Sequence, residues 1–129
     1  MSSTHPLFVY GSLKRGCSNH GRLGGQTFLA EAVTEPHFAL YAVGGFPGMV
    51  RASEDGCAVR GELWEMDAAA LSRLDDFEAS GSLFQRELIP VSTDDGHRHA
   101  AWAYLYLGEV AGRRQVGPVW GDIGSELQQ

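Results

Sequence analysis

Two short stretches of this chain hold residue types spaced as bond-making chemistry needs them. The first is Phe8-Val9-Tyr10-Gly11-Ser12-Leu13-Lys14-Arg15. An apolar run stops at Gly11, and a small hydroxyl and two cations follow at once. A turn with unpaired backbone N–H groups beside cations makes a small anion site. Glycine lets a ligand come close to those amides. The natural guest is a carboxylate on a small molecule. An ordinary turn after a strand has the same local pattern, so this stretch alone leaves both readings open.

The second stretch is Asp75-Asp76-Phe77-Glu78. At about 100° per residue on a helix starting after Asp67, the residues Ala70, Leu71, Leu74 and Phe77 fall in one apolar arc. Asp76 points away from that arc and Asp75 lies near its edge. Glu78, if the helix reaches it, stands only about 20° from Leu71. A carboxylate held against apolar groups loses hydration and its pKa rises, which suits a general base near neutral pH. The competing reading is a frayed helix end with Glu78 in water.

These residues need a scaffold, and the periodicity supplies one. Strands are predicted over 7–10, 27–33, 37–43, 57–65, 83–91 and 99–107, with Met49-Val50-Arg51 resuming the sheet briefly. Gly44 to Gly48 reads as a tight, irregular connection, and Asp94-Asp95-Gly96 as a hairpin turn. Asp67 is a helix N-cap followed by three alanines, with the helix running to Phe77. The strand from His99 is apolar on both faces, so both must be covered. After Gly108 the pattern weakens into a loop and a short tail anchored by Trp120. Six or seven strands with one helix give class α+β, a small mixed sheet curled toward a barrel.

Length and charge narrow the partners. The 129 residues form one domain, 1–129. Ten Lys and Arg face sixteen Asp and Glu, for a formal charge of −6, which argues against nucleic acid and against an anionic membrane surface. The first residues carry no apolar signal region, so a soluble, cytoplasmic protein is expected, with a monomer the simplest state. Cys17 and Cys57 make no disulfide framework. Cys17 and His20 lack a third orienting group for a thiol nucleophile. His97 and His99 share a strand face, but a solvated hairpin end explains them better than a metal. Glu62 shares a face with Trp64 and is expected to be structural, bonding buried backbone or Arg86.

Taken together, the motifs resemble those of the γ-glutamyl cyclotransferase family, most closely its γ-glutamylamine cyclotransferase branch. The matching segments are Phe8 to Gly16 with Asn19-His20, Val59-Arg60-Gly61-Glu62-Leu63-Trp64, Leu74 to Glu78, and Leu83-Phe84-Gln85-Arg86. Weaker matches are Gly45 to Val50 and Ala101 to Tyr106, and residues 109–129 match poorly. The resemblance implies a small mixed β-barrel of about six strands with one main helix and short flanking helices. It implies cleavage of a γ-glutamyl amide with no cofactor and no metal. The α-amine attacks the γ-carbonyl, releasing 5-oxoproline and a free amine. Carried over by position, Glu78 is the catalytic acid/base, and Tyr10, Gly11, Ser12 and Leu13 are the substrate loop. Phe84 stands in the substrate-binding set where close relatives have a tyrosine, whose hydrogen bond Tyr104 or Tyr106 could supply. The expected partner is a small-molecule γ-glutamyl substrate. The alternative is a non-catalytic module that binds a small carboxylate or a peptide tail with the Tyr10–Leu13 loop. The acid at position 78 favours the enzyme, since a binder has no need of one. Whether the enzyme salvages amines or deprotects a biosynthetic intermediate stays open.

Overall fold

The computed structural model describes residues 4–11, 13–16, 20–43, 46–52, 56–79 and 84–116; the side chains of Thr4, Phe46, Phe77, Glu78 and Ala79 lie outside the description. Among these residues, eight strands and one α-helix follow in chain order. They are β1 Thr4–Val9, β2 Thr27–Thr34, β3 Phe38–Val43, β4 Phe46–Arg51, β5 Arg60–Asp67, α1 Ala68–Ala79, β6 Phe84–Thr93, β7 Arg98–Tyr106 and β8 Gln115–Val116. A short 3-10 helix, His20–Leu23, precedes β2.

Five of the strands close on themselves. β1 pairs with β5, β5 with β2, β2 with β6, β6 with β7, and β7 returns to β1 through the parallel pair Leu7 and Trp102. Closure removes the exposed edges that an open sheet leaves for unwanted pairing. β4, β3 and β8 extend from β7 as an attached flap, joined by the parallel pair Met49 and Leu105. The ring therefore has five strands where about six were expected, with three more attached.

Alternation along β1 and β7 builds two cores at once. Phe8 and Tyr10 of β1 and its end, with Ala101, Ala103 and Leu105 of β7, join one buried cluster with Phe38, Leu40, Met49, Leu63 and Ile89. Leu7, Val9 and Tyr104 belong to a second cluster with Leu13, Leu23, Trp64, Met66, Ala70, Leu71 and Leu74. Successive side chains on a strand take opposite faces, so β7 is covered on both sides as its sequence requires. α1 lies against the second face. Burying Leu71 and Leu74 there contributes about 1.5–3 kcal/mol each.

The helix starts where Asp67 caps it: its Oδ1 accepts the Ala70 N–H at 2.7 Å. It continues through Ala79, past the expected stop at Phe77, so position 78 is helical. β4 takes in Phe46, Pro47 and Gly48, which read as an irregular connection. Pro47 sits opposite Ala42, whose N–H donates instead to the Arg114 carbonyl at 2.8 Å, so the proline breaks no ladder bond from that side. Two-residue β8 is too short for any periodicity to show. Trp120 and the expected tail lie outside the described residues, as do Cys17, Asn19 and Ser12. No helix among the described residues is long and apolar enough to cross a membrane.

Candidate active site

The chain leaves the barrel at the end of β1 and turns at once. The Lys14 N–H donates to the Gly11 carbonyl at 3.1 Å, closing a turn over 11–14. Gly11 is required there by its neighbour. A Cβ at position 11 would sit 2.7 Å from Pro47 Cγ of β4, inside normal contact. Its role is thus close packing, not an unusual backbone angle.

Tyr10 is buried, and its phenol is fully engaged. The hydroxyl donates to the Tyr104 carbonyl at 2.7 Å and accepts the Met49 N–H at 3.1 Å. The side chain therefore ties β1 to β7 and β4, and Tyr10 has its backbone to offer a ligand. Leu13 is buried in the same cluster as Leu71 and Leu74 of α1. Turn and helix thus contribute to one buried apolar cluster. Position 78 lies four residues beyond Leu74, on the same face of α1 one turn further on. The Glu78 carboxylate itself is outside the described side chains, as is all of Ser12.

The two cations that follow behave differently. Arg15 is paired with two carboxylates instead of standing free beside the turn. Its Nε donates to Glu62 Oε2 at 3.1 Å, its backbone N–H to Glu62 Oε1 at 3.0 Å, and its terminal nitrogen to Glu31 Oε2 at 2.6 Å. The guanidinium also lies 3.7 Å from the Phe28 ring centroid. Lys14 is only 8% exposed, yet its ammonium has no carboxylate partner among the described residues.

Glu62, 6% exposed, is the brace beneath the turn. Besides Arg15 it accepts the Trp64 Nε1–H at 3.1 Å. The backbone group it bonds is the part-buried N–H of Arg15, not a buried one. Its partner is Arg15 and not Arg86. His20 contributes from the other side: Nδ1 lies 3.1 Å from the Leu13 carbonyl, and the ring packs against Trp64 with centroids 5.4 Å apart.

Arg86 is committed to Asp75. Its Nε reaches Asp75 Oδ1 at 2.8 Å and its terminal nitrogen reaches Oδ2 at 2.9 Å, a bidentate pair. The Tyr104 hydroxyl donates to the same Oδ1 at 2.7 Å, and the Arg86 guanidinium lies 4.3 Å from the centroid of the Trp102 ring. This cluster was not foreseen. The available signal was the edge position of Asp75 and an arginine in the motif after the helix. Phe84 opens β6 and packs against Tyr106, centroids 5.4 Å apart. With the Tyr104 phenol bound to Asp75, the phenol beside Phe84 is that of Tyr106.

Asp75 also has a pH consequence. Burial alone raises its pKa, but the hydrogen bonds from Arg86 and Tyr104 and the Arg86 charge outweigh that and hold it below the ordinary 3.8. A carboxyl depressed on folding adds stability above its ordinary pKa and loses it as pH falls through the lower folded value. Asp75→Asn should therefore flatten the fall of the thermal midpoint on acidification below pH 3.8. The side chain is 38% exposed, so solvent screens part of the effect. Thermal melts of both proteins across the acid range check this; parallel pH curves would refute it. His97 and Asp95 pair with each other at 2.9 Å on the exposed hairpin. No group of three or more His, Cys, Asp or Glu that could hold a metal occurs among the described residues.

A five-strand closed barrel, with a small-residue turn at the end of its first strand and one helix packed against its wall, is the γ-glutamyl cyclotransferase-like architecture. Residues 7–121 match the model of the family described as "Gamma-glutamyl cyclotransferase, AIG2-like", and the chain belongs to that family. The rat protein named gamma-glutamylaminecyclotransferase is 37% identical over 92 residues, covering 66% of this chain and 62% of its own. The crystal structure of a mouse aig2-like protein superposes with a TM-score of 0.75 at 29% identity, covering 88% of this chain and 86% of that one. That of YkqA from Bacillus subtilis gives a TM-score of 0.81 at 25% identity, covering 98% of this chain. The chain spans 62% of the rat protein and 43% of YkqA, less than two thirds of either.

Proposed function

We propose that this protein cleaves a γ-glutamyl amide by ring closure, with Glu78 as the general acid/base. The substrate α-ammonium gives a proton to the Glu78 carboxylate. The freed amine attacks the γ-carbonyl carbon, forming the lactam C–N bond. The amide C–N bond breaks as Glu78 gives that proton to the departing nitrogen, and Glu78 then relays the second proton of the attacking nitrogen the same way, so the lactam nitrogen keeps one hydrogen and the amine leaves as an ammonium. The products are 5-oxoproline and a free amine, with no water consumed and no cofactor needed. The reaction is intramolecular, so holding the folded conformer is worth several kcal/mol, out of about 7–11 kcal/mol that good orientation can supply.

The observation that carries this reading is that Leu13, Leu71 and Leu74 belong to one buried cluster, in a chain that matches the family model from 7 to 121. It supports a reading in which the Tyr10–Leu13 turn works together with the face of α1 that bears position 78. The amides of Gly11, Ser12 and Leu13 hold the α-carboxylate or the developing oxyanion. Lys14 supplies the positive charge that Arg15, taken up by Glu62 and Glu31, does not. Phe84 and Tyr106 line the substrate side at the start of β6. The name of the rat relative favours an amine leaving group, such as the lysine side chain of γ-glutamyl-ε-lysine.

The test is a panel of γ-glutamyl alkylamines, γ-glutamyl-ε-lysine, γ-glutamyl amino acids and glutathione, read by 5-oxoproline release. Turnover is expected with the amines in preference to glutathione. Binding of γ-glutamyl compounds without 5-oxoproline would leave a carboxylate-binding module instead. Lys14→Met is expected to raise KM by about tenfold or more with a smaller change in kcat, as loss of a charge-assisted contact worth about 1.5–3 kcal/mol predicts. An unchanged KM would remove Lys14 from carboxylate recognition.

A further inference from the structure

The polar cluster at Asp75 joins the two halves of the proposed site. Tyr104 is its hinge point. Its backbone carbonyl accepts the Tyr10 hydroxyl at the root of the substrate turn, while its own hydroxyl donates to Asp75 in the second half of α1. Asp75 is in turn gripped by both ends of the Arg86 fork from β6. Arg86 is steadied over the face of Trp102, a neighbour of Tyr104 on β7. One chain of hydrogen bonds therefore runs from Tyr10 through Tyr104 to Asp75.

Asp75 stands three residues before Glu78, on the same closing turns of α1. Helix ends fray when their last turns lack partners. Among the described side chains, Ala70, Leu71 and Leu74 secure the apolar face of α1. Beyond them Asp75 makes the polar connection to the barrel. Proton transfer needs donor and acceptor within hydrogen-bond reach, so the end of α1 has to keep its distance from the turn at residues 10–13.

We propose that Asp75 is a positioning residue: held by Arg86 and the Tyr104 hydroxyl, it fixes the last turn of α1, and with it position 78, in register with the Tyr10–Leu13 turn. The inference rests on the cyclotransferase reading above. It assigns no contact between Asp75 and substrate.

The experiment measures kcat and KM for 5-oxoproline release from γ-glutamyl-ε-lysine with wild type, Asp75→Asn, Tyr104→Phe, Arg86→Lys and, as control, Glu78→Gln. All are assayed well below their thermal midpoints. Asp75→Asn should lower kcat between about 10- and 100-fold, the scale of a small misplacement, with KM within about threefold of wild type. Tyr104→Phe and Arg86→Lys should give smaller losses in kcat of the same kind, and the pH dependence of kcat should keep its shape. If Asp75→Asn fails to fold, Tyr104→Phe, which removes a single oxygen, carries the test. A lowered thermal midpoint with unchanged kcat in these variants would make the cluster merely structural and overturn the proposal. A rise confined to KM would overturn it too. If wild type turns over and Glu78→Gln does not while Asp75→Asn is fully active, only the positioning role falls. If wild type releases no 5-oxoproline from any γ-glutamyl compound, the cyclotransferase reading falls and this inference with it.

Discussion

Glu78→Gln should fold like the wild type and release 5-oxoproline slower by a factor of about 10²–10⁴, the usual contribution of a positioned acid/base. Gln matches Glu in size and nearly in helix propensity, so the last turn of α1 has no reason to change. What is lost is the ability to accept a proton from the α-ammonium. That group stays charged and non-nucleophilic near neutral pH unless something removes its proton. The measurement is a progress curve for 5-oxoproline, with circular dichroism to establish equal folding. Near-normal turnover in a folded Glu78→Gln protein would sink the assignment of Glu78, and with it the order of proton transfers proposed for the reaction.

Gly61→Ala should be among the most damaging small substitutions in the barrel. Gly61 lies on β5, opposite Ala32 of β2 and one residue before Glu62, which pairs with Val9 of β1. A Cβ there would press into the Val9 carbonyl oxygen and lie 2.8 Å from Phe8 Cζ. The oxygen belongs to the backbone and cannot swing aside as a side-chain tip can. Either β1 moves away from β5 or the methyl group is not accommodated. Overpacking of this sort costs about 1–3 kcal/mol and occasionally more, and the upper end is expected. Urea unfolding of the two proteins measures it. Because Val9 immediately precedes the substrate turn, turnover should also fall at temperatures where the variant is still folded. A Gly61→Ala protein as stable as wild type would show that β1 and β5 are less tightly apposed than the packing indicates.

Much of this scaffold is legible in the residues because strands with strict alternation or two apolar faces can hardly be read otherwise. β2, β3, β6 and β7 fall within a residue or two of their expected limits, and Asp67 caps the helix it was expected to cap. The failures have physical causes. Pro47 and Gly48 read as breakers, yet both sit in β4. A flap strand beside β3 tolerates residues that a central ladder would not. β8 is two residues of a sheet edge with no pattern to detect.

At the candidate site the turn and the helix face were readable, since each depends on local spacing. Pairings between charged groups were not. Arg15 and Arg86 each had more than one acid within plausible reach. Only the folded positions of β5 and α1 decide that Arg15 belongs to Glu62 and Arg86 to Asp75. Tyr10 shows the same limit from another side. Its place in the motif says nothing of where its hydroxyl goes, and only the folded chain brings that hydroxyl to Tyr104 and Met49.

The seam between β1 and β7 has a consequence for the order of assembly. Leu7 needs Trp102 beside it, and most of the described chain lies between those two residues. During synthesis the N-terminal strand emerges early and must wait, one flank unsatisfied, until β7 has been made. Contacts this remote in sequence slow folding. The turn after β1 hangs on that same strand, so catalytic competence should arrive in the final step of folding, together with the sealing of the ring.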